Sequence, residues 1–295
     1  VDVQWWNGVK KRDIENWIRN FGASEEIAEL ILDNVIFYTA KQMKSYTLFL
    51  VNLLKEQVYL EAMKENGYDF LTDEQLEKKW EIYLEQTRFI PAALSNDPTS
   101  SAHKILGHWR SSLERGDEFF SVINAIGEDY GKGVHRFVLV DDFSGSGEQM
   151  LEVLQQKICF KNQSIELGML PELYSEIEIV VAVYVLHENA KKNIHLKYPQ
   201  VKLICVDKID DRMNYLNEKS SMYRKYSDDK KQAIIEEIQK LNDNIMNENT
   251  EFKKLSSYVL NIPIVFEHGC PNNTLLLLFA HSDNWQQLFK RGKEI

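Results

Sequence analysis

The spacing of apolar residues divides the chain into two regimes. Up to residue 86 it is helical. Ile14, Trp17, Ile18 and Phe21 recur at intervals of three and four, on one face of a helix that Gly22 ends. Ser24, Glu25 and Glu26 open a second helix carrying Ile27, Leu30, Ile31 and Val35. Tyr46, Phe49, Leu50, Leu53, Leu54 and Val58 predict a longer one stopped by Gly67. Thr72 with Gln75 is a capping-box signal for another helix, through Trp80 and Leu84. Residues 1–86 are therefore expected to form an N-terminal helical domain. Its Trp5, Trp6 and Trp17 suit a packed core or, alternatively, a protein-partner surface, since aromatic side chains are enriched at interface cores.

From residue 87 the pattern alternates. A short apolar run at 89–94 is followed by a polar loop at 95–101, then by helical stretches through Trp109 and through Ile123 and Ile126. Phe137-Val138-Leu139-Val140 is an unbroken apolar run closed by Asp141 and Asp142, the pattern of a strand buried on both faces. A helix with Met150, Leu151 and Leu154 on one side begins after Gly147. Residues 177–186 predict a strand, 189–198 a helix and 201–206 another strand. Strands alternating with helices predict an α/β fold, a doubly wound parallel sheet spanning 87–295. Residues 209–254 interrupt it. They are charged and Asn-rich, with Ile234, Ile235, Ile238, Leu241 and Ile245 as a stripe, and read as an inserted helical hairpin. Residues 258–266 and 275–279 then predict strands.

Composition narrows the function classes. Of 295 residues, 44% are hydrophobic and 27% charged, which are globular proportions. The formal net charge of −10 repels nucleic-acid phosphates, and no dominant basic patch offsets it, so direct nucleic-acid binding is not expected. Cys159, Cys205 and Cys270 form no CxxC pair and are spaced too widely for a compact zinc site. Cys159 and Cys205 sit in apolar runs and are expected to be buried free thiols, which fits a reducing cytosol and a cytoplasmic location. Neither a signal-peptide core nor a membrane-spanning run is evident.

The chemistry concentrates at 137–148, where an apolar strand ends in two carboxylates and a loop of small residues precedes a helix. Glycines let a backbone approach an anion closely, and amides at a helix start point toward it. The hydroxyls of Ser144 and Ser146 add donors, while Asp141 and Asp142 are placed to accept from sugar hydroxyls. Together these groups suit a ribose 5-phosphate, or else a tight strand–helix turn with capping side chains. No Gly-Lys-Ser/Thr follows, which excludes a P-loop, and a dinucleotide fingerprint would need Gly at Met150.

Residues 137–150 resemble the signature of type I phosphoribosyltransferases, an apolar strand, an acidic pair and a small loop that cradles a 5-phosphate. The resemblance implies that Asp141 and Asp142 face the ribose hydroxyls, and that Phe143, Ser144, Gly145, Ser146, Gly147 and Glu148 hold the phosphate. Ser146 and Gly147 fit the usual Thr-Gly, while Glu148 replaces a second Gly and Gln149 a Thr. Downstream, Pro271-Asn272-Asn273-Thr274-Leu275, Trp285 and Leu288-Phe289-Lys290-Arg291 resemble the closing signature of phosphoribosyltransferase-like proteins of bacterial conflict and anti-phage systems. The implied ligand is phosphoribosyl pyrophosphate or a nucleotide, with Mg²⁺ arriving through the pyrophosphate if the protein is catalytic. The alternative is a non-catalytic nucleotide-sensing or scaffold subunit, docked to a protein partner through the N-terminal helices. His268, Asn272 and Asn273 are candidates for the acceptor side. The same stretch also resembles the S-adenosylmethionine loop of Rossmann-like methyltransferases, but Asp142 stands where that pattern wants a large apolar residue.

Overall fold

The computed structural model describes residues 6, 8–94, 100–248, 252–253 and 260–291. Trp5, the loop at 95–99 and the start of the strand expected at 258 lie outside them. In chain order the elements are α1 (Lys11–Ile18), α2 (Glu25–Asn34), β1 (Ile36–Tyr38), α3 (Ala40–Glu65), α4 (Asp73–Glu85), β2 (Thr87–Pro91), α5 (Ser101–Leu113) and α6 (Ile126–Gly131). There follow β3 (Arg136–Ser144), α7 (Glu148–Leu154), β4 (Lys157–Phe160), β5 (Gln163–Glu166), α8 (Leu170–Leu173), β6 (Glu178–His187) and α9 (Glu188–Lys197). The last are β7 (Lys202–Ile209), α10 (Asp228–Glu248), β8 (Ile264–Phe266) and α11 (Leu276–Phe279). These form two compact units, Met43–Lys208 and the pair of segments Val1–Gln42 and Ile209–Ile295.

The Met43–Lys208 unit is a mixed α/β structure built on a four-stranded sheet of order β2-β3-β6-β7. β3 pairs in parallel with both β2 and β6, with Val138 opposite Phe89 on one side and Val180 on the other. Side chains alternate along a strand. Phe137 and Leu139 therefore join Ile179, Val181 and Val183 in a core closed by Val153 and Leu154 of α7 and Ile194 of α9. The opposite face carries Phe89, whose ring packs 5.0 Å from Trp109 of α5, and Tyr184, whose hydroxyl meets Thr47 of α3 at 2.6 Å. Helices on both faces explain why β3 reads as apolar without alternation. The α4 cap forms as expected, Gln75 N–H donating to Thr72 Oγ1 at 3.3 Å and Thr72 N–H to Gln75 Oε1 at 2.8 Å.

The other unit brings together ends that the sequence keeps apart. β1 pairs in parallel with β8, Ile36 opposite Ile264. The indole N–H groups of Trp17 and Trp285 both donate to the Leu277 carbonyl, at 2.7 and 3.1 Å. Ile234, Ile238 and Ile245 of α10 are buried in the same core, and Ile235 and Leu241 pack against it.

Several expectations need correction. The division after residue 86 and the 209–254 insertion do not match the observed grouping. α1, α2 and β1 pack with the C-terminal segment, because β8 and the 275–280 run need apolar partners that those elements supply. Residues 209–248 hold one long helix after short 3₁₀ turns at Asp211–Met213 and Ser221–Tyr223, and residues 249–251 and 254, where a second arm of the expected hairpin would fall, lie outside the described residues. Within the 275–279 run, Leu276–Phe279 is a short helix and not a strand. A brief, wholly buried apolar run fits either state locally, and its neighbours decide. Residues 36–38, inside the expected helical domain, are a strand. Cys159 is exposed, on the outer side of the β4–β5 ribbon, and Cys205 is half-buried. Trp6 and Trp17 are core residues rather than a free partner surface.

Candidate functional site

β3 continues four residues past Val140, so the acidic pair lies inside the ladder, with Asp141 opposite Val183 and Ser144 opposite Leu186. Strand alternation puts Asp142 and Ser144 on the face that packs against α5. The pair is far more enclosed than a strand-end position implies, Asp141 at 3% exposure and Asp142 at 6%. Asp141 Oδ1 accepts the Asp142 backbone N–H at 2.9 Å. Ser101, first residue of α5, brings its Oγ to 3.2 Å from Asp141 Oδ1 and 3.1 Å from Asp142 Oδ1.

Burial pushes the Asp141 carboxyl well above the usual carboxylate range, and the neighbouring Asp142 charge pushes it further the same way. Tyr184 on β6 extends the polar cluster. Its hydroxyl lies 3.2 Å from His108 Nδ1 of α5, and burial, with the charges of Asp142 and Asp141, raises its pKa. Nearby, Tyr46 donates to Asp207 Oδ2 at 2.7 Å, and its ring meets that of Tyr184 edge-on.

The loop after β3 is held from behind. Gly147 has φ +86°, and a Cβ there would sit 2.9 Å from the Ala190 Cα, in the first turn of α9. Only glycine allows both the left-handed backbone and that approach. Asn193 Nδ2 donates to the Ser146 carbonyl at 2.9 Å, and Glu148 N–H reaches Ser146 Oγ at 3.4 Å. Gly145 is buried and Ser146 half-buried, while Glu148 and Gln149 are exposed, so the Glu148 charge is solvated. The Ser144 hydroxyl is buried and has no hydrogen-bond partner among the described residues.

The matching family model is PRTase-CE, over residues 14–291. The chain belongs to the PRTase-CE family. Comparison with curated proteins and with solved structures gave no match. Membership in this phosphoribosyltransferase-like family agrees with the parallel sheet and sets aside the methyltransferase resemblance of the same stretch.

The six loop residues and the acidic pair of this PRTase-CE chain come together at one end of β3. The acceptor-side candidates belong to the other unit. There, the His268 ring stacks on Phe266 at 5.5 Å, Asn272 Oδ1 accepts from Arg291 at 2.7 Å, and Asn273 is buried, its carbonyl accepting from Leu260 and Ile262. Sequence reasoning missed Ser101, His108 and Tyr184. Ser101 closes the polar stretch 95–101 and begins α5, a helix-start signal, but nothing local links it to residues forty positions away. Among the described residues no three His, Cys, Asp or Glu side chains converge as a metal site, and no helix is long and apolar enough to cross a membrane.

Proposed function

We propose that the chain binds a ligand bearing a ribose 5-phosphate, as phosphoribosyl pyrophosphate or a nucleotide. Asp141 and Asp142 engage the ribose hydroxyls, and residues 143–148 hold the phosphate. The observation that carries this reading is the Ser144 hydroxyl, buried and without a partner among the described residues, between the acidic pair and the glycine loop in sequence. A buried polar group left unpaired is destabilising by about 1–3 kcal/mol, which a ligand oxygen would relieve. In the catalytic form the ligand transfers its phosphoribosyl group, and fixed dipoles stabilise the charge developing at the anomeric carbon. Mg²⁺ is commonly held by substrate phosphates with few protein ligands, and here it would arrive with the pyrophosphate. When bound, it would neutralise the departing pyrophosphate.

The biological setting we propose is bacterial anti-phage defence, with a protein partner. Trp6 and Trp17 are buried, so that partner would dock elsewhere. A second reading, nucleotide sensing without turnover, is favoured by Glu148, a carboxylate in the first turn of α7 beside the phosphate loop. Calorimetric titration with phosphoribosyl pyrophosphate and Mg²⁺ tests the reading. Saturable heat is expected, and pyrophosphate release separates transfer from sensing. Folded protein that gives no heat at millimolar ligand sinks it.

A further inference from the structure

A hydroxyl carries one proton, so it makes one full hydrogen bond as donor or shares that proton weakly between two acceptors. Ser101 Oγ lies within hydrogen-bond distance of two carboxyl oxygens, 3.2 Å from Asp141 Oδ1 and 3.1 Å from Asp142 Oδ1. Two ionised carboxylates held this close and this buried would repel each other, and one proton kept between them and the serine removes that cost. The groups facing the pair are Ser101 from α5 and Tyr184 from β6. Behind Tyr184 stand His108 of α5 and Thr47 of α3, and Tyr46 engages Asp207 of β7. A second observation points to a ligand here. Ser144, on the same strand face as Asp142, keeps its buried hydroxyl without a partner among the described residues.

We propose that Ser101 is a positioning residue that locks the Asp141–Asp142 pair around one shared proton, so that the pair presents one fixed donor and one fixed acceptor. Resting on the ribose reading above, this arrangement selects a vicinal diol, whose hydroxyls each give and take a hydrogen bond. Ribose 5-phosphate satisfies it and 2-deoxyribose 5-phosphate does not.

The locked proton is testable without any ligand. Infrared difference spectra at neutral pH between the wild type and Asp141→Asn or Asp142→Asn should contain a protonated-carboxyl C=O band. In Ser101→Ala that band should move to higher wavenumber, because the acid loses a hydrogen-bond partner, and Ser101→Thr should restore it. Ribose 5-phosphate should bind Ser101→Ala about tenfold more weakly, the size of one charge-assisted hydrogen bond that the released pair no longer makes to the sugar. Wild type should reject the 2-deoxy sugar by a similar factor. A pair without an acid band at neutral pH overturns the proposal, as does a band indifferent to Ser101→Ala. A band that responds to Ser101, in protein that binds neither sugar phosphate, upholds the locked proton and rejects the ribose reading instead.

Discussion

Gly147→Ala isolates the turn that holds the candidate loop. The new Cβ would meet the Ala190 Cα at 2.9 Å, below any ordinary carbon–carbon contact, and the contact is with backbone that cannot rotate aside. The residue is also held at φ +86°. The left-handed conformation costs an L-residue about 1–2 kcal/mol, and overpacking of this kind typically a further ~1–3 kcal/mol. The sum is about 2–5 kcal/mol, which for a unit of this size lowers the melting temperature by about 5–15 °C. Because α9 is the element displaced, the Asn193–Ser146 bond should loosen and sugar-phosphate affinity should fall with stability. Gly107→Ala is the control. Gly107 sits inside α5 with nothing within 4 Å of the added methyl, so alanine there should stabilise by about 1 kcal/mol. Differential scanning calorimetry of both variants measures the contrast. If Gly147→Ala melts within 2 °C of the wild type, to the limit implied by about 1 kcal/mol, the close approach of loop and α9 is wrong.

Two further outcomes are expected. The Asp141 pKa is raised in the folded chain, so the folded state binds more protons than the unfolded one above the ordinary Asp value. The stabilisation is complete below about pH 4 and is lost as pH rises through the raised value. Asp141→Asn should therefore gain melting temperature relative to wild type with increasing pH, and a difference constant from about pH 4 to pH 8 would refute the burial argument. Deleting residues 1–42 should remove β1 from β8 and Trp17 from the Leu277 carbonyl, and should unfold the C-terminal segment. Protease resistance of 209–291 in the truncated chain would show instead that the N-terminal helices are dispensable.

Local pattern determined a good deal of this protein. The three- and four-residue spacing located α1, α2 and the α10 stripe. Thr72 and Gln75 set the start of α4, and the run at 137–140 identified a strand covered on both faces. The carboxylate pair followed by Gly145, Ser146 and Gly147 marked the candidate site, because a strand, a glycine turn and a helix start are each properties of a few consecutive residues. Contacts between distant segments decided the rest. Residues 276–279 became helix and 36–38 strand because each took the state its neighbours could bury and pair, and a short apolar segment has no periodicity of its own to choose with. The Trp17 and Trp285 indoles meet on one carbonyl only once the two ends of the chain are packed together. The burial of Asp141 and Asp142, and the serine that bridges them, followed from the docking of α5 on β3. An acid's charge state depends on what excludes water from it, and that is set by residues far away in sequence.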